Sequence, residues 1–393
     1  MKILWISCLA WLENGEYRLP VNGPGAVSGS IFQQSIIEGV ENHGAKVEIL
    51  NDYPVANKRC VKGAKWSHNC ESLDKTVSTI NIPLISMIVK SISIFLNIFK
   101  KQKGMDYSIA IAYLIHTPYL IGLWIAKKIK RDIKTVLICP DLPGYMDMSL
   151  KEKPIKKLFK KIDYMIINKL MNSIDAFVLF SDSMKERLPI GNKPSIVIEG
   201  VYSPFDIDLT KAEKKRAIMH AGTLHRNIGI ENIIEAFKLI SDKELELWIF
   251  GDGDLGDYIR KASQIDKRIK FFGFVSRQEL FEYEKRAMLL INTRNPNDEY
   301  TKYSFPSKTF EYMASGTPFL TTKLQGIPEE YYKYLYTIES NEPSVIAKNI
   351  KKIFEISNEE NECFGLNARE FVLTNKNKIV QSDKLYKFLK SLL

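Results

Sequence analysis

The chain has 393 residues, 45% hydrophobic and 11% aromatic, an ordinary globular composition long enough to bury more than one core and to form two domains. Its formal net charge of +10 comes mainly from lysine, in runs such as "KKIKRDIK" and "KEKPIKKLFKK", and favours anionic partners. No nucleic-acid motif accompanies that charge, which sets nucleic acid aside and leaves a nucleotide substrate or an anionic membrane surface.

The opening "MKILWISCLA" has the short alternation of a first strand rather than a leader peptide. The glycine-rich "NGPGAVSGS" (22–30), with Gly25 at its centre, follows it and precedes a helix ended by Gly44; such a loop lets backbone approach a phosphate or sugar, and a long turn without a ligand needs glycines too. Cys8, Cys60, Cys70, Cys139 and Cys363 are odd in number and scattered, as in a reducing compartment. Cys60, His68 and Cys70 lack the second close pair of a zinc site and read as a polar insertion with free thiols. The run "IPLISMIVKSISIFLNIF" (82–99) is interrupted by Lys90, Ser91, Ser93 and Asn97 and falls short of a bilayer span. It reads either as a core helix or as an interfacial helix whose Lys100, Lys101 and Lys103 reach lipid phosphates.

Strand-like runs "KVEIL", "SIAIAYL", "TVLICPD", "AFVLF" and "SIVIEG" alternate with helical segments, the pattern of a parallel sheet with crossover helices. His116 follows one of these strands, placed either to contact a sugar or acceptor or to serve as a structural histidine. After the polar stretch 203–215 the pattern restarts with "AIMHAG", "LELWIFG", "IKFFGF", "MLLINT" and "PFLTT". Two doubly wound domains follow, 1–203 and 204–374, with a last helix over 375–393 returning to the first.

The segment "KYSFPSKTFEYMASGTPFL" (302–320) reads as loop, helix and strand, with Pro306 near the helix start and Gly316 at its end. Its N–H groups at Ser304, Phe305 and Ser307, the Lys308 ammonium and the positive end of the helix dipole suit a phosphate. Side chains lean toward a helix N-terminus, so Glu311 can direct its carboxylate to the same mouth.

This stretch, with "AGTLHRNIGIENIIEAF" (221–237), "IFGDGDLGDYI" (249–259) and "FFGFVSRQEL" (271–280) in this order, resembles the retaining glycosyltransferases of the GT-B fold that build bacterial capsule, exopolysaccharide and lipid-linked glycans. "VLICPDLPGYM" and "DAFVLFSDSMKERL" extend the resemblance into the first half. It implies two Rossmann-like domains facing across a cleft, with a UDP- or GDP-linked sugar in the second and a glycan or polyprenyl-linked acceptor in the first. Glu311 would hold the ribose hydroxyls and the backbone of Phe274 and Val275 the base. Gly222, Gly251 and Gly253 would leave room beside the nucleotide. Two departures stand out. The family's first glutamate, eight positions before Glu311, is Tyr303, and the loop cations expected at 223 and 228 are Thr223 and Ile228. Arg226 and Lys308 are the nearest substitutes as leaving-group cations. The nucleotide sugar is a substrate, no resident cofactor or metal is expected, and no Asp-x-Asp motif occurs where a donor would bind. The expected location is cytoplasmic, peripheral on the inner face of the membrane. Two alternatives share the architecture: a non-catalytic partner subunit, suggested by Tyr303 and Thr223, and a sugar-nucleotide epimerase, which needs no lipid-facing basic surface.

Overall fold

The computed structural model describes residues 1–13, 16–17, 27–52, 60–101, 107–142, 154–203 and 212–393. They form two compact units, Met1–Ser203 with Lys378–Leu393, and Pro204–Asn377.

The first unit runs β1 (Lys2–Ser7), the ribbon β2 (Leu12–Glu13) and β3 (Glu16–Tyr17), α1 (Val27–Asn42), β4 (Lys46–Asn51), β5 (Cys60–Val61), β6 (Lys65–Trp66), β7 (Asp74–Thr76), β8 (Thr79–Ile80), α2 (Pro83–Lys101), β9 (Ile109–Tyr113), α3 (Thr117–Ile129), β10 (Lys134–Cys139), α4 (Pro154–Met171), β11 (Ala176–Leu179) and β12 (Ser195–Val197). Its main sheet has the order β12-β11-β10-β9-β1-β4-β7-β6, parallel except at β6–β7. The central strands are continuous apolar runs because helices cover both faces. Ile3 and Trp5 of β1 join one core with Phe32, Ile36 and Val40 of α1. The last helix, α12 (Lys378–Ser391), adds Leu385 and Leu389 to that core and is tied down where Gln381 donates to the Gly200 carbonyl at 3.0 Å. α3 packs between α2 and α4.

The second unit runs β13 (Lys215–Ala221), α5 (Ile230–Lys238), β14 (Glu246–Phe250), α6 (Gly256–Ile265), β15 (Ile269–Gly273), α7 (Arg277–Arg286), β16 (Ala287–Asn292), α8 (Tyr300–Tyr303), α9 (Lys308–Ser315), β17 (Phe319–Thr322), β18 (Tyr336–Ile338), α10 (Pro343–Glu355) and α11 (Asn358–Asn375). Its six strands are all parallel in the order β15-β14-β13-β16-β17-β18. Read by chain sequence that is 3-2-1-4-5-6, so the winding reverses between β13 and β16. In the first unit it reverses between β1 and β9. Crevices beyond the carboxyl ends of strands at such reversals are where doubly wound sheets bind ligands.

The stretch 302–320 departs from a single helix opening at Ser304. α8 ends at Tyr303, Ser304 is extended, and α9 starts only at Lys308. Proline at 306 disfavours a helical Phe305, which accounts for the break. Gly316, at φ 76°, stops α9 as expected of a left-handed cap.

Candidate active site

At the reversal in the second unit, three strand-end loops lock together. The Gly222 N–H donates to the Phe250 carbonyl at 3.1 Å and the Gly251 N–H to the Gly273 carbonyl at 2.8 Å. Gly251 sits at φ 125°, and a Cβ there would lie 1.8 Å from the Gly222 oxygen. Its missing side chain is thus required by loop packing, as is that of Gly253 against the Leu224 carbonyl, whereas Gly222 faces open space. α9 is fastened to the end of β13 by the Tyr312 hydroxyl, which accepts from the Ala221 N–H at 2.7 Å and donates to the Ala221 carbonyl at 3.1 Å.

An ion cluster stands at the start of α9. Arg277 Nε on α7 donates to Glu311 Oε1 at 2.8 Å, and Lys308 Nζ takes Glu311 Oε2. Burial would raise the Glu311 carboxyl, but Lys308 and Arg277 outweigh it and hold the group below its usual range. Burial would lower the Lys308 ammonium, yet Glu311 and Glu284 keep it raised. Glu284, only 1% exposed on α7, has Oε1 without a hydrogen-bond partner among the described residues. Burial pushes its carboxyl up to about 8, with Lys308 and Arg277 opposing and Glu311 adding to the rise.

Among the described residues, more buried polar atoms without partners occur in the elements of this reversal: His220 Nε2 on β13, Asn292 Oδ1 and Thr293 Oγ1 at the end of β16, and Thr309 Oγ1 in the first turn of α9. Protein interiors leave few such atoms, so a group of them at one strand-end crevice marks a place built for a polar ligand. His220 Nδ1 lies 3.0 Å from the Ile291 carbonyl and so carries the proton, leaving Nε2 an acceptor. Burial, with Arg294 and Lys308 nearby, lowers this imidazole to about 4. It is neutral, and two cations stand near it.

The structure brings Lys308, Glu311, Ser304 and Ser307 to this place, with Ser307 and Lys308 at the N-terminal end of α9. Tyr303 and Phe305 are buried side chains; Phe305 packs on Phe310 and Tyr331, so the rings serve the core and only the backbone of 305 is left to a ligand. Thr223 and Arg226 are exposed, Arg226 at 79% with its Nε 3.9 Å from Glu231. Phe274 is 84% exposed beside a half-buried Val275. Gly25 lies outside the described residues. Sequence reasoning missed Arg277, Glu284, His220 and Arg294. The buried face of α7, Phe281, Glu284 and Lys285, carries a one-turn spacing that could have exposed Glu284 as a charge facing inward.

In the first unit the reversal is equally polar. Leu114 has φ 85°, a strained conformation for a branched residue, and leads directly to His116 at the N-cap of α3. Asp52 Oδ2 accepts from Lys90 at 2.8 Å and Tyr119 at 3.0 Å, while Asp52 Oδ1 and Ser7 Oγ are buried without partners among the described residues. His116 packs on Tyr119 at 4.7 Å between ring centroids, and burial lowers its imidazole below the usual range. Burial and then Asp52 push the Cys8 thiol up to about 12, which favours the thiol over the thiolate. Cys60 and Cys70 are exposed, whereas His68 is buried between Asp74 and Glu41, and no metal-binding cluster occurs among the described residues.

Residues 215–355 match the family model described as Glycosyl transferases group 1, which spans this second-unit site. The full chain superposes on sucrose-phosphate synthase from Thermosynechococcus elongatus with a TM-score of 0.70 at 14% identity, covering 100% of this chain and 98% of that one. It superposes on Anabaena Alr3699/HepE in complex with UDP at 0.65 and 15% identity, covering both chains completely. The fold is GT-B. A sequence relative, the probable glycosyltransferase WbjE of Pseudomonas aeruginosa, is 26% identical over 163 residues, 39% of this chain and 39% of that protein. The aligned part is thus well under half of the relative's length. The matched segment contains the Arg277, Glu284, Lys308 and Glu311 cluster, and Gly222 and Arg226 as well.

Proposed function

We propose that the chain transfers a sugar from a nucleotide-sugar donor to a glycan or lipid-linked acceptor, with retention of anomeric configuration, in polysaccharide biosynthesis. The observation that carries this reading is the buried polar group at the β13–β16 reversal, lying inside the segment that matches group 1 glycosyl transferases. Anabaena Alr3699/HepE has been solved with UDP-glucose, which supports a UDP-linked sugar here, with a GDP-linked one as the other candidate.

The difficult step is loss of a nucleoside diphosphate from the anomeric carbon. The bond breaks with its electron pair going to the phosphate, so negative charge grows there and the protein's task is electrostatic. Lys308, Arg294 and the N–H groups of Ser307 and Lys308 are assigned to that charge, with Arg226 reaching it from the surface. Glu311, kept ionised by Arg277 and Lys308, has lone pairs left for two ribose hydroxyls. In this reading Arg294 takes over from the loop cations absent at Thr223 and Ile228, and no resident metal is used. His116, Asp52 and Lys90 are assigned to the acceptor. We place the protein in the cytoplasm, peripheral on the inner face of the membrane, where a polyprenyl-linked acceptor would be presented.

Product stereochemistry by proton NMR tests the finer claim. An α-linked donor should give an α-linked product, and a β-linked product overturns retention. The alternative of a non-catalytic partner predicts donor binding without turnover even when acceptor is supplied, and an epimerase predicts an isomerised nucleotide sugar.

A further inference from the structure

Among the described residues no helix is long and apolar enough to cross a membrane. α2 is nonetheless apolar on the face it shows to solvent. Ile85, Ile88, Ile92, Phe95, Leu96 and Phe99 recur at three- and four-residue spacing and are 41–60% exposed, while Ile94 and Ile98 fill the opposite, buried side. A surface helix ordinarily puts its charges where these six residues stand. α3, packed between α2 and α4, adds exposed Trp124, and α4 adds exposed Leu158, Ile162 and Met165. A cavity of about 460 Å³ opens beside α2; Ile92 and Leu96 belong both to its wall and to the exposed stripe, and Lys65 and Lys75 line it too.

We infer that the α2–α3–α4 face is a docking surface for a bilayer of anionic phospholipid, with α2 lying in the interface and a lipid headgroup phosphate entering the cavity at Lys65 and Lys75. The proposal builds on the membrane-surface location proposed above and is independent of the transfer reaction. Charge selects the occupant. α2 has no acidic residue and, apart from the inward Lys90, carries Lys100 and Lys101 at its end, and α4 has five lysines against the single Asp163. An apolar stripe flanked by lysine is the composition of interfacial helices, which bind through apolar area and through attraction to anionic headgroups. A second copy docked by the same face in a symmetric pair would set these lysines against their own equivalents, which opposes a dimer. On its inward side α2 carries Lys90 to Asp52 at the end of β4, so the same helix joins the lipid-facing surface to the polar strand ends of the first unit.

The test is co-sedimentation of the full chain with vesicles of phosphatidylcholine containing phosphatidylglycerol and with vesicles of phosphatidylcholine alone. The protein should sediment with the anionic vesicles, less so as salt rises. Ile88→Asp with Ile92→Asp should weaken that partition by about ten-fold or more, and Lys65→Glu with Lys161→Glu should weaken it for anionic vesicles only. Melting temperature and nucleoside diphosphate release are followed in the same samples and should not change. Protein that stays in the supernatant at low salt overturns the inference. So do aspartate variants that sediment like wild type, and a dimer in light scattering that the aspartate pair dissolves. Protein that sediments as described but releases no nucleoside diphosphate from any donor keeps this inference and loses the transferase reading.

Discussion

Arg277 crosses from α7 to hold Glu311 of α9, its Nε 2.8 Å from Oε1, while Lys308 occupies the other carboxylate oxygen. The carboxylate is thereby fixed in charge and direction before any ligand arrives. Glu311→Ala should weaken donor affinity by about 1.5–3 kcal/mol, the cost of hydrogen bonds lost to a charged group. Arg277→Ala removes the positioning contact to Glu311 and should weaken affinity less, with Arg277→Lys restoring part of it. Calorimetric titration with the donor measures all three. Unchanged affinity in folded Glu311→Ala contradicts the assignment.

Substitutions of the cations should act on turnover. Lys308→Ala and Arg294→Ala should each lower kcat by about 10²-fold with a smaller change in affinity, because the charge they meet grows in the transition state. Arg226→Ala, at an exposed side chain, should cost at most about ten-fold. Steady-state kinetics ranks them, and equal losses for Arg226 and Arg294 would contradict the division of roles.

Glu284 gives a pH signature. Its folded carboxyl is raised from 4.5 to about 8, so the folded chain holds a proton that the unfolded chain releases. The stability this proton confers is full below about pH 4.5 and is lost as pH rises through about 8. Glu284→Gln is neutral throughout and should match wild type near pH 4.5 and melt at a higher temperature at pH 8. Equal melting temperatures at both pH values would show that Glu284 is not buried as a neutral acid.

His68 in the first unit titrates in a higher window. Burial opposes its charge, but Asp74 at 2.7 Å and Glu41 at 3.1 Å outweigh burial and raise it to about 9. Its contribution is full below 6.5 and is lost as pH climbs through about 9. His68→Ala should cost about 3 kcal/mol at pH 6, since it strands the buried Asp74 carboxylate without its cation. Denaturant unfolding at pH 6 and pH 10 reads the difference, which should shrink at pH 10.

The sequence carried those parts of the site that rest on local chemistry. Gly316 needs a positive φ, Pro306 limits where α9 starts, and Lys308 and Glu311 sit one turn apart on that helix, all visible in one short stretch. Parallel strands announced themselves as apolar runs such as "KILWIS" because both faces are covered. What stayed hidden depends on distant packing. Arg277 meets Glu311 from 34 positions away, and Glu284 sits in "FEYEKR", whose composition is that of a solvated helix. The exposed stripe on α2 was open to two readings, since apolar residues at helical spacing cover a core or face a membrane alike until burial is known.

The central claim is that the site around Lys308 and Glu311 takes a sugar from a nucleotide. Its most direct measurement is nucleoside diphosphate release from a panel of UDP- and GDP-sugars by wild type, Lys308→Ala and Glu311→Ala, each shown to be folded by its melting temperature. The account predicts release from one donor by wild type, slower turnover in Lys308→Ala and weaker donor binding in Glu311→Ala. Release that is undiminished in both folded variants, or no release from any donor in the presence of acceptor lipid, would contradict it.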